Sequence, residues 1–159
     1  MRLSKIGQGI VAAVVVVWLA AMGFLIANAE SPDDSFADSN ALEGAVAAID
    51  EQGLKVTAIS PADVYGEQYV AGALICPGAT EESIGQDYQV DAAPLELGGN
   101  EVPEDTSYLL LRDTEGTASF DKIPRDSIDF CSVPLAGYFD TRSLMPLAKT
   151  EAEGWALFG

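Results

Sequence analysis

Apolar and polar positions are unevenly distributed along this chain. From Ile10 to Ala27, eighteen consecutive residues, IVAAVVVVWLAAMGFLIA, are apolar or small and none is charged. As a helix they extend roughly 27 Å, close to the ~30 Å hydrocarbon thickness of a bilayer. The run predicts a transmembrane helix over residues 10–29, after a short segment 1–9 and before ESPDDSFADSN, an acidic linker over 30–40. Past the linker the pattern becomes that of a globular domain over 41–159. Leu42, Ala45, Val46 and Ile49 recur at helical spacing between Asn40, a capping residue type, and Gly53, a stop signal. LKVTAI from Leu54 alternates as a strand does, and after turn signals at Pro61 and Gly66 the stretch YVAGALIC from Tyr69 to Cys76 reads as a buried strand.

Downstream, SYLLLR from Ser107, TASF from Thr117 and SIDFCSV from Ser127 are further strands, and Thr80 with Glu81 and Glu82 opens a short helix. Residues 141–153 predict a second helix, broken near Pro146. The Pro, Gly and acidic residues between Gln86 and Thr106 predict a long loop suited to a binding surface. Tyr138, Phe139, Trp155 and Phe158 bracket a C-terminal segment that reads as a helix and strand closing the core, or as an apolar tail docking on a partner or membrane. The fold class is α+β: one N-terminal transmembrane helix and one small mixed domain with a mainly antiparallel sheet.

Charge orients the chain. Arg2 and Lys5 precede the apolar run, whereas all 25 acidic residues lie at or after Glu30, so the amino end stays in the cytoplasm and the domain is exported. Ala27-Asn28-Ala29 fits a signal peptidase site, but a secretory core is usually about 7–15 residues, and the longer run favours a retained anchor. No cysteine follows the run as a site for lipid attachment. On a helical projection Gly9, Ala13, Ala20, Gly23 and Ala27 fall within about 40° of one line, opposite Trp18. Such a small-residue stripe is a packing face for another transmembrane helix.

The acidic surface repels nucleic-acid phosphates and anionic lipid, so nucleic-acid binding is not expected. With no histidine in the chain, imidazole-based nucleophile activation and His-ligated zinc or haem are excluded. Cys76 and Cys131 are the only thiols, and an even count in an exported domain predicts one disulfide. A redox thiol at Cys76 is the alternative, but Ala79 stands where a CxxC partner would be. Gly98-Gly99 leads into Asn100-Glu101, not into the Lys and helix of a phosphate loop. The acidic runs at 33–40 and 113–121 lack calcium-loop spacing, which leaves at most a weak surface cation site. Carboxylate-pair hydrolysis has too many candidate acids for sequence to choose among.

The layout of MRLSKIGQGIVAAVVVVWLAAMGFLIANAE followed by an acidic domain with Cys76 and Cys131 resembles small single-pass exported proteins of actinobacteria. Among these it is similar to accessory subunits around the cytochrome bcc-aa3 respiratory supercomplex. The resemblance implies a single-pass cell-membrane protein without a cofactor or catalytic site of its own, whose partners are integral membrane subunits met through the helix and the acidic outer domain. A cleaved or anchored envelope binding module, or an enzyme built on carboxylates or thiols, is the alternative.

Overall fold

A computed structural model describes residues 36–37 and 40–158. The described residues belong to one compact unit, Asp34–Gly159. The predicted transmembrane helix and its face, Gly9, Ala13, Ala20, Gly23 and Ala27, lie outside them. Among the described residues no helix is long and apolar enough to cross a membrane.

In chain order the elements are α1 (Ala41–Glu51), β1 (Val56–Ile59), α2 (Pro61–Tyr65), β2 (Tyr69–Ile75), α3 (Glu81–Tyr88), β3 (Thr106–Asp113), β4 (Ala118–Pro124), β5 (Ile128–Asp129), β6 (Phe139–Asp140), β7 (Met145–Lys149) and β8 (Trp155–Leu157). They form two four-stranded sheets, one ordered β4-β3-β2-β6 and the other β1-β7-β8-β5. Every pair is antiparallel except β5 with β8, so the domain is α+β with mostly antiparallel pairing.

The β3 strand explains the layering. Its residues are buried on both sides, as expected of a central strand covered on both faces. Leu109 and Leu111 point with Leu74 and Ile123 toward the inner face of the second sheet, where Ile59, Met145, Leu147, Trp155 and Leu157 meet them under Leu42 and Val46 of α1. Tyr108 and Leu110 point the other way with Ala73, Ile75 and Phe120, onto Ile84 of α3 and onto Ala92, Leu95 and Val102 of the long loop. The loop is held because the Tyr108 hydroxyl accepts the Glu96 N–H at 3.1 Å and lies 3.3 Å from its carbonyl oxygen.

Several expectations change. Residues 141–153 hold no helix: β7 and β8 form a hairpin there, with Met145 and Leu147 inward and Pro146 and Ala148 outward. Pro146 fits this strand because its carbonyl still accepts the Phe158 N–H at 3.1 Å where the ladder ends. SIDFCSV yields only two strand residues, because the Asp129 carboxylate accepts the Cys131 N–H at 2.9 Å and turns the chain. Asn40 makes no side-chain cap; it sits at φ 70° and contributes its carbonyl to the Gly44 N–H. Gly53 does terminate α1, at φ +74° with its N–H on the Asp50 carbonyl.

Packing also begins earlier than the end of the linker span. Phe36 pairs in parallel with Phe120 at the free edge of β4, ring centroids 6.4 Å apart, and Ala37 is buried in the core. Two elements had no strand or helix signal of their own: α2, read as a turn although Pro61 suits a first helical turn, and β6.

Candidate functional site

The two cysteines meet. Cys76 and Cys131, 55 residues apart in sequence, are joined by a disulfide with Cα atoms 5.8 Å apart. The bond ties the end of β2 in one sheet to the segment leaving β5 in the other, so the thiolate that a redox role for Cys76 requires is not free here. Asp129 organises this corner. It receives Arg125 on both oxygens, from Nε and Nη2 at 3.1 Å each, while Arg125 Nη1 donates to the Glu104 carbonyl at 2.8 Å. Burial raises the Asp129 carboxyl, but the hydrogen bonds from Arg125 and Cys131 outweigh it and hold the group below the usual carboxylate range.

Beside the disulfide lies a cleft of about 490 Å³. One wall runs from Cys76 to Ala79, the other from Phe130 through Leu135 to Ala136, with Leu74 and Tyr88 between them. None of its twelve lining residues is Asp, Glu, Lys or Arg. That volume suits a small ligand or a few side chains of a partner.

The far end of the cleft is built on α3. Thr80 and Ser83 cap its start reciprocally: the Ser83 N–H donates to Thr80 Oγ1 at 3.2 Å and the Thr80 N–H donates to Ser83 Oγ at 3.0 Å. Its last carbonyls are taken from outside, since the Tyr138 hydroxyl donates to the Tyr88 carbonyl at 2.8 Å and Arg112 Nη2 lies 3.0 Å from it. Arg112 also sits 5.1 Å from the Tyr138 ring centroid, and Tyr88 meets that ring edge-on at 5.8 Å. The Tyr88 hydroxyl donates to the Leu74 carbonyl, and burial raises both the Tyr88 and the Tyr138 hydroxyls. A cation at the negative end of α3 thus fixes the loop that forms one cleft wall.

A second, mainly apolar surface is the outer face of the β1-β7-β8-β5 sheet, where, among the described residues, only the β5 edge carries a charge, Asp129 beside Ala156. Register places Val56, Ala148 and Ala156 in one rung and Ala58 and Pro146 in the next. Val56 is 59% exposed, and Leu54, Leu144 and Phe158 nearby in sequence are also exposed.

The 113–121 run forms the β3–β4 hairpin, in which Asp113 Oδ1 accepts the N–H groups of Glu115 and Thr117 at 2.9 and 2.8 Å. No group of three or more His, Cys, Asp or Glu residues is arranged to hold a metal ion among the described residues. Sequence reading missed Tyr88, Arg112 and the 132–136 wall; the signal was SVPLAG, an apolar stretch where a surface loop is normally polar. Comparison with protein-family models, with curated proteins and with solved structures finds no match to this chain.

Proposed function

We propose that this chain is a membrane-anchored, exported contact domain that docks as an accessory subunit on the outer side of a larger membrane complex and works through its surface, without catalysis. The observation that carries the reading is the contrast between an acid-rich domain and its two apolar surfaces, the charge-free cleft and the outer sheet face with a charge only at its β5 edge. Exposed apolar surface of this kind is characteristic of protein contacts. The disulfide supports export, since such bonds persist in oxidising compartments. The partner that the sequence resemblance implies is the bcc-aa3 respiratory supercomplex, and the small-residue stripe at Gly9, Ala13, Ala20, Gly23 and Ala27 is the proposed contact inside the membrane.

Purification of the full chain from native membranes in mild detergent tests this. Larger membrane subunits are expected in fixed ratio; a clean monomer overturns the reading. The second reading, a released envelope module, rests on Ala27-Asn28-Ala29. Mass spectrometry of the native amino terminus separates the two, because a chain starting at Glu30 has no anchor.

A further inference from the structure

The cleft beside the disulfide says more about its occupant than does the sheet face, because exposed carboxylates without an ion-pair partner among the described residues border one of its walls. We infer that it receives an apolar protein segment flanked by Lys or Arg, which deepens the contact reading above and rests on it. The lining supplies the first half of the argument: Pro77, Ala79, Val133 and Leu135 offer apolar walls, and no charged side chain among the twelve lining residues would balance a buried charge. An apolar side chain is therefore what this floor can desolvate without penalty.

The rim supplies the second half. Beyond Ala79 the chain enters the first turn of α3, where Glu81 and Glu82 are exposed. The 101–102 segment lies against the same wall: Glu101 bridges Thr80, and the Val102 N–H donates to the Ala79 carbonyl at 2.9 Å. None of these three carboxylates takes part in an ion pair among the described residues. Among the cations of the domain, Lys122 is paired with Glu96, Arg125 with Asp129 and Lys149 with Asp50 and Glu153, while Arg112 lies on the Tyr88 carbonyl and the Tyr138 ring at the other end of α3. An apolar floor with an uncompensated acidic rim is complementary to an apolar segment carrying positive charge beside it, and it disfavours anionic lipid and a second, equally acidic copy of this chain.

The test uses the full chain in native membranes, with a photoreactive benzoylphenylalanine in place of Leu135, which is 42% exposed and so tolerates replacement. Irradiation is expected to give an adduct on an apolar protein segment bordered by Lys or Arg. Adding Glu81→Lys and Glu82→Lys should then lower the yield about tenfold, with the variant still folded and its melting temperature reduced only by the small cost of two cations in the first turn of α3. An adduct to lipid alone, an adduct to a segment lacking Lys and Arg, no adduct, or a yield indifferent to the charge reversal overturns the assignment. If partners still copurify with the wild-type chain in any of those cases, the contact reading stands and only its placement in the cleft falls. If no partner copurifies, the contact reading itself is what fails.

Discussion

Asp129 accepts the backbone N–H of Cys131 at 2.9 Å, so the residue that ends β5 also sets the position of a half-cystine. The same carboxylate is gripped by Arg125 through two bonds, a planar fork-to-fork pairing that fixes its orientation. One short Asp-Phe-Cys stretch thereby decides where a strand stops, where the disulfide starts and where the cleft wall begins.

Asp129→Asn keeps the shape and removes the charge. At neutral pH the variant should lose about 1.5–3 kcal/mol, the usual range for charge-assisted hydrogen bonds. The folded-state pKa of Asp129 is lowered, so its contribution is present above the ordinary carboxylate value and is lost as pH falls through the folded value. Urea unfolding from pH 7 down to pH 2 should show the gap between wild type and variant closing in acid. A gap that stays constant would mean the Asp129 charge contributes nothing to stability.

The disulfide gives a second expectation. Closing a 55-residue loop is worth about 4 kcal/mol in the chain-entropy account, large beside the ~5–15 kcal/mol total of a typical domain. Reduction, or the double change Cys76→Ser with Cys131→Ser, should lower the melting temperature substantially and to the same value. Scanning calorimetry with and without reductant checks this, and an unchanged transition would show that the loop is already constrained by packing.

These sites differ in how far the sequence disclosed them. The cysteine pair needed only counting. The helix at Leu42, Val46 and Ile49 carries its periodicity openly because it puts one apolar face into the core, and the central strand at Tyr108–Leu111 shows as an unbroken apolar run because both of its faces are buried. The β7 strand does not: Pro146 and Ala148 on its outer face are as apolar as Met145 and Leu147 on its inner face, so the alternation that announces a strand is erased by the surface proposed to make contact. The cleft was hidden for another reason. Its walls come from Cys76–Ala79 and Phe130–Ala136, stretches with no motif that become one site only when the disulfide and the Arg112–Tyr138 contact bring them together.

Gly72 lies in β2 opposite Phe139, and a Cβ built on it would come within 2.7 Å of the Phe139 ring. The aromatic ring occupies the space that a side chain would need, and it holds β6 on the sheet edge. Gly72→Ala should cost about 1–3 kcal/mol through overpacking. In the background of Phe139→Ala the same change should cost much less, since the clash is gone. A thermodynamic cycle over the four proteins by chemical denaturation measures this, and strict additivity would show that the ring moves aside freely.

Tyr65 places its hydroxyl on the carboxylate of Asp121, a group only 1% exposed between the sheets, and so anchors α2 to β4. Burial first, and then the negative charge of Asp121, push the Tyr65 hydroxyl far above the ordinary tyrosine value. A tyrosine whose folded pKa is raised binds its proton more tightly in the native state than in the unfolded chain. Its contribution is complete below the unfolded value near 10 and declines as pH rises above it. Tyr65→Phe should therefore cost about 1–3 kcal/mol at pH 7, because a buried carboxylate loses a donor, and it should flatten the decline in stability between pH 9 and pH 11. Stability curves at those three pH values decide the matter: an alkaline slope identical in wild type and variant would mean that Tyr65 ionises as easily in the folded protein as in the unfolded one.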